Sequence, residues 1–173
     1  MTPLKTVVST GASRGIDHAT VKRFPNDGWR VLTCSRKGFD HRCPWPGGEE
    51  NHIHVNLSNP QNTVSTIVKI HKKLDRYLDA FVNNAGVLPK AIDGGQLNTF
   101  DTELQTWGPV FHVNFFASVV LARGLKAELA AAKGSVVNIA SIAGARFHLF
   151  ARAAYATSKA ALATLTREMV HNF

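Results

Sequence analysis

The chain has 173 residues, is 45% hydrophobic and carries a formal charge of +8, enough length and apolar content for one domain with a core of its own, residues 1–173. The basic excess is spread along the chain rather than gathered into a stripe, which argues against a nucleic-acid surface. No apolar run is long enough to span a bilayer, and two cysteines, Cys34 and Cys43, are too few for a disulfide scaffold.

The segment Leu4–Thr10 is short and β-branched and reads as a first strand. A turn with Gly11 and Gly15 follows, then a helical stretch toward Phe24 that Pro25 and Asp27-Gly28 are expected to stop. Trp29–Cys34 is a second strand, so the opening is a βαβ unit with a parallel pair. Glycines at such a turn let backbone N–H groups approach a pyrophosphate at the helix N-terminus. Ser35-Arg36-Lys37 stands where a dinucleotide fold meets the adenosine ribose, and an arginine there suits a 2′-phosphate where a carboxylate would suit a 2′-hydroxyl. Residues 38–50 form a Pro/Gly-rich loop. His41, Cys43, His52 and His54 match no usual zinc spacing, so no metal is expected, and His52 and His54 read as the polar face of a strand.

His52–Leu57 is the third strand, and Pro60 opens a helix whose apolar stripe runs to Leu74. Leu78–Val82 is a fourth strand, closing on the small-residue turn Asn83-Asn84-Ala85-Gly86. Helical patterns start near Asp101 and near His112, the second reading as one helix to Lys133-Gly134. Ser135–Ala140 is a fifth strand, residues 142–152 are a loop, and a last helix runs from Arg152 to Phe173. Strands alternating with helices predict an α/β fold, a Rossmann-like doubly wound parallel sheet, with ligands at the carboxyl ends of its strands. Tyr155 and Lys159, four apart on the last helix, share one face. An ammonium beside a phenol lowers its pKa and makes an acid/base pair.

Five features, Thr10-Gly11-Ala12-Ser13-Arg14-Gly15-Ile16, Asn83–Gly86, Asn114, Ser141 and Tyr155-x-x-x-Lys159, stand in an order that resembles the short-chain dehydrogenase/reductase family along nearly the whole chain. The resemblance implies Tyr155 as catalytic acid/base and Lys159 as the group that lowers its pKa and holds the nicotinamide ribose. It implies Ser141 as a hydrogen-bond donor to the substrate oxygen and Asn114 as a holder of a relay water. Gly11, Ser13, Arg14, Gly15, Ile16, Arg36, Asn56, Leu57, Asn83, Ala85 and Gly86 would bind the cofactor, together with Tyr155 and Lys159. Arg14 and Arg36 resemble the pattern that prefers NADP (NADPH), with NAD less favoured. The substrate is expected to be a small carbonyl or alcohol compound. A homodimer or homotetramer is implied by the family's habit of pairing the helices that carry Asn114 and Tyr155. No nucleic-acid or membrane partner is expected, and the location is expected to be cytoplasmic.

The chain departs from that pattern in ways that carry expectations. Asp17 replaces the family's third glycine and is expected to place a carboxylate near the pyrophosphate and weaken cofactor binding. Asn56 stands where an aspartate is usual. The chain stops where the family continues into two more strands, so the fifth strand is expected to show an open edge, with Val136, Val137 and Ile139 losing cover. The alternative to an oxidoreductase is a shortened, catalytically impaired relative that acts as a cofactor-binding or interaction module. The loop with Arg146, Phe147, His148 and Phe150 is expected to border the substrate pocket and to favour an apolar or ring-bearing carbonyl compound.

Overall fold

A computed structural model of the chain describes residues 4–13, 15–42, 44–91, 94–95, 97–149, 151 and 153–170. Arg14, Cys43, Phe150, Arg152 and Phe173, named above, lie outside the described residues. The described strands are β1 (Thr6–Thr10), β2 (Arg30–Ser35), β3 (His52–His54), β4 (Ala80–Asn83) and β5 (Ser135–Asn138). They form one sheet in the order β3-β2-β1-β4-β5, and every pairing is parallel. The strand order reverses direction between β1 and β4, and this switch point opens a crevice at their carboxyl ends.

Parallel strands need both faces covered, and alternation along each strand supplies two cores. On one face Val8, Leu32, Cys34 and Phe81 pack with Ile70 of α2 (Pro60–His71), Leu121 of α4 (Ala117–Gly124) and Leu129 of α5 (Lys126–Ala132). On the other, Val7, Val31 and Val82 pack with Val21 of α1 (Gly15–Asn26) and with Trp45 from the Pro/Gly-rich loop. Asn59 caps α2 by accepting from the amide of Asn62 at 3.0 Å, and Pro60 occupies the first helical position.

Several boundaries differ from the sequence reading. Pro25 does not stop α1 but lies inside its last turn. The helix closes just beyond it, where the amide of Trp29 donates to the carbonyl of Phe24 at 3.1 Å and Gly28 takes φ 76°. The third strand ends at His54 instead of Leu57. The helix expected to be continuous from His112 is broken. After α3 (Leu104–Phe111) comes a π turn, His112–Phe116, in which the amide of Ala117 reaches back to the carbonyl of His112. A second break falls at Leu125 (φ −104°, ψ 9°), between α4 and α5. Helix α6 (Ala153–Met169) packs beside α3 and the π turn. Among the described residues β5 pairs only with β4, and Val137 is 44% exposed, as expected of an open edge.

Candidate active site

Thr10 ends β1, Asn83 ends β4, and the two are register partners. The Thr10 hydroxyl oxygen accepts from the amides of Asn84 at 3.2 Å and Ala85 at 3.1 Å. Gly11 has φ +91°, and a Cβ there would meet Asn84 Nδ2 at 2.9 Å and Ala85 Cα at 3.0 Å. Only glycine lets the first turn and the Asn84–Gly86 turn lie backbone to backbone. A cavity of about 130 Å³ opens beside them, and its walls include Gly11, Ser13, Arg36, Leu57, Ala85 and Gly86. Val55, Leu57 and Val113 give it apolar walls for a base, Ser13 and Ser35 supply hydroxyls, and the exposed Arg36 adds a cation. These residues, with a glycine cradle that any Cβ would fill, fit the adenosine end of a dinucleotide.

The second half of the site is built on α6. Lys159 is 3% exposed, and its ammonium donates to the carbonyl of Ile139, just past β5, at 2.7 Å. Burial pulls its pKa down from 10.5 to about 8. The same ammonium lies 3.6 Å from where a Cβ of Gly86 would be, which joins the two halves. Tyr155, one helical turn earlier, is half-buried and lines a cavity of about 480 Å³ with Leu88, Pro89, Lys90, Leu97, Ala153 and Ala154 among its walls. Ser141 is half-buried at the start of a one-turn 3-10 helix (Ile142–Gly144), where its hydroxyl oxygen accepts from the amide of Ala143 at 3.2 Å. Its own O–H remains a donor.

Asn114 lies in the π turn and is fully buried. Its carboxamide clamps Val87, accepting from the amide at 2.8 Å and donating to the carbonyl at 3.1 Å, and it also donates to the Ser158 hydroxyl at 3.0 Å. The side chain is thus a brace between the cofactor turn and α6. Asn83, 3% exposed, donates to Asn138 at 2.8 Å, and Asn138 donates to Thr166 of α6 at 2.9 Å. These side-chain bonds tie β4, β5 and α6 together behind the site.

A family described as short chain dehydrogenase matches residues 5–173. The chain belongs to the short-chain dehydrogenase/reductase family. It is 50% identical over 171 residues to protein FixR of Bradyrhizobium diazoefficiens, which covers 98% of this chain and 62% of that protein. It is 29% identical over 168 residues to meso-2,3-butanediol dehydrogenase of Serratia marcescens, covering 95% of this chain and 64% of that one. The chain thus spans a little under two thirds of the length of these relatives. A crystal structure of a Brucella ovis oxidoreductase of the short chain dehydrogenase/reductase family, in complex with a partially ordered NAD, is similar with a TM-score of 0.94 and 57% identity. That likeness covers 99% of this chain and 78% of the other.

Within this short-chain dehydrogenase/reductase chain, several sequence expectations need correction. Asp17 does not face the cleft. Its position in the first turn of α1 points at the sheet, where a glycine would allow close approach, and it is 1% exposed. The Ser9 hydroxyl donates to its Oδ1, while Oδ2 is buried without a partner. Burial raises this carboxyl from 3.8 to about 7 against the lowering effect of the Ser9 bond. Asn56 turns away from the adenosine cavity, and its Oδ1 accepts from the Ser58 amide at 3.1 Å and hydroxyl at 2.9 Å. Gly15 and Ile16 are exposed at the first turn of α1, and Asn83 is buried at the end of β4. The loop with Arg146, Phe147 and His148 does not border the Tyr155 cavity. It lines an adjoining groove with Ala153, Ala156, Thr157 and Ala160, where the 142–144 turn packs against α6.

Sequence reasoning missed the π turn and the bracing role of Asn114. It also missed Thr10 as an acceptor for two backbone amides. The run His112–Phe116 carries no mark of a π turn, whereas a hydroxyl at the end of a central strand was open to view.

Proposed function

We propose that this chain is an oxidoreductase that moves a hydride between a nicotinamide cofactor and a carbonyl or alcohol substrate, with Tyr155 as acid/base. The observation that carries the reading is the buried Lys159 ammonium, one turn from Tyr155 and beside Gly86 at the cofactor edge. A bound nicotinamide supplies or accepts the hydride. In the reducing direction the Tyr155 hydroxyl gives its proton to the developing alkoxide, and the Lys159 charge stabilises the phenolate left behind. The Ser141 hydroxyl donates to the same substrate oxygen as its charge grows. Leu88, Pro89, Leu97 and Ala154 exclude water from the reacting face and favour a substrate with an apolar body.

NADP(H) is the preferred cofactor in this reading, although the Brucella ovis relative was crystallised with NAD. Arg36 is exposed where β2 ends, and the nearby carboxylate of Asp40 is paired with Arg42 Nε at 3.1 Å. Pairing through α4 and α6 in a homodimer or homotetramer completes the proposal. Titration with NADPH and NADH, followed by nicotinamide fluorescence, tests the cofactor. Turnover on a panel of small ketones tests the chemistry. Tyr155→Phe is expected to keep cofactor binding and lose about 10²–10⁴-fold in turnover. Wild-type turnover in that variant would overturn the assignment.

A further inference from the structure

Two histidines on β3 lie outside the reaction just described. In the parallel pairing of β2 with β3, Thr33 is the register partner of His52, and Ser35 is the partner of His54. Both rings reach past the end of β2 to the turn that follows it. His54 Nε2 donates to the carbonyl of Arg36 at 2.9 Å, and His52 Nε2 donates to the carbonyl of Lys37 at 2.9 Å. The Ser35 hydroxyl donates to that Lys37 carbonyl as well, at 2.7 Å. At its other nitrogen, His52 Nδ1 accepts from the Thr33 hydroxyl at 2.8 Å. Burial favours the neutral ring of His52, so its one N–H is spent on Lys37. Trp45 and Phe39 pack around the ring with centroids 5.8 and 6.4 Å away.

This turn separates two cavities. The adenosine cavity of about 130 Å³ lies on one side. A second cavity of about 250 Å³, with Lys37, Arg42 and His52 in its wall, lies on the other, and both include Ser13 and Ser35. The Arg36 and Lys37 side chains therefore stand at the joint of the two. Their direction depends on backbone outside the ladder: the Arg36 carbonyl is held by His54 of β3, and the Lys37 carbonyl by His52 of β3 together with Ser35 at the end of β2.

We propose that His52 and His54 are positioning residues for the cofactor: by holding the Arg36 and Lys37 carbonyls they fix the turn that presents both cations to the adenosine ribose and its 2′-substituent. The proposal rests on the cofactor reading above. Without the two histidine donors only the Ser35 hydroxyl still holds the Lys37 carbonyl, the turn samples other conformations, and a cofactor must order it on binding.

The test uses this chain with His52→Gln, His52→Asn and His54→Ala, each checked for folding by circular dichroism and titrated with NADPH and NADH. A glutamine amide reaches the place of Nε2 and keeps the donor to Lys37, whereas an asparagine amide reaches only the place of Nδ1. His52→Asn and His54→Ala are each expected to weaken NADPH by about tenfold, with a smaller loss for NADH. His52→Gln is expected to stay within about threefold of wild type. NADPH affinity within about twofold of wild type in His54→Ala, or a His52→Gln variant as weak as His52→Asn, overturns the proposal. If the wild type binds NADH as tightly as NADPH, the NADP preference falls, while a loss on both nucleotides in the variants still supports the positioning role. A wild type that binds neither nucleotide overturns both.

Discussion

The hydroxyl of Ser9 donates to the carboxyl of Asp17, and together they fill the gap between β1 and the first turn of α1. A carboxyl held at about 7 when folded and 3.8 when unfolded makes stability depend on pH. Between those values the folded chain binds the extra proton, so stability falls as pH rises through the interval and the full penalty applies above about pH 7. The penalty is on the order of 4 kcal/mol. Asp17→Asn keeps an acceptor for Ser9 and cannot ionise. It is expected to raise the melting temperature by roughly 5–10 °C at pH 8 and far less at pH 4.5. Equal shifts at both pH values, read by thermal melts, would count against the buried-acid account.

Lys159 works in the opposite sense. Its folded pKa of about 8 lies below 10.5, so between those values the unfolded chain holds more protons and stability rises with pH. Below about pH 8 the buried charge is a standing cost. Lys159→Met is expected to stabilise the ligand-free chain at pH 7 by about 1–2 kcal/mol, less than the whole cost because the Ile139 carbonyl loses its donor. The same variant is expected to lose turnover. Urea unfolding and an activity assay on the same preparation check both halves of this trade.

Gly144 sits where a Cβ would come within 2.7 Å of the Ala160 amide nitrogen and 2.8 Å of the Lys159 carbonyl carbon. Those are backbone atoms and cannot swing aside. Gly144→Ala is expected to shift the 142–144 turn, and Ser141 with it, relative to α6. A loss of about 1–3 kcal/mol and a fall in kcat of at least about tenfold should follow, with cofactor affinity nearly kept. A variant with wild-type kcat would show that the turn can move without disturbing Ser141.

Lys133 ends α5 with φ 49°. A left-handed conformation suits glycine far better than a side chain. Lys133→Gly is expected to stabilise the fold by about 0.5–1 kcal/mol and to leave turnover unchanged, which makes it a useful control in the same melting series.

The strands and the shared helix of Tyr155 and Lys159 were legible because their signals are local. Alternating β-branched residues mark β1 and β2, and Tyr155 with Lys159 needs only a helix to share a face. The direction of Asp17 was not legible, since it depends on whether a hydroxyl waits on the facing strand, and Ser9 is eight positions away in sequence. Asn56 likewise satisfied its acceptor within its own turn, on Ser58, a choice its neighbours allow but do not dictate. The π turn at His112–Phe116 lies against α6, and no periodicity in that run records it. Pro25 read as a stop because proline lacks an N–H, yet the last turn of a helix can spare one bond.

Residues 84–87 are irregular backbone with no ladder, yet they are bolted at both ends. Thr10 receives the amides of Asn84 and Ala85, and Asn114 holds both backbone groups of Val87. One bolt comes from a central strand and the other from a buried turn of helix. The bonded amides of Asn84, Ala85 and Val87 are released only when sheet and helix part, so they belong with the slowest to exchange with solvent and not with those of surface loops. The turn beside Gly11 is therefore among the last parts of the molecule to loosen, although it carries no regular secondary structure.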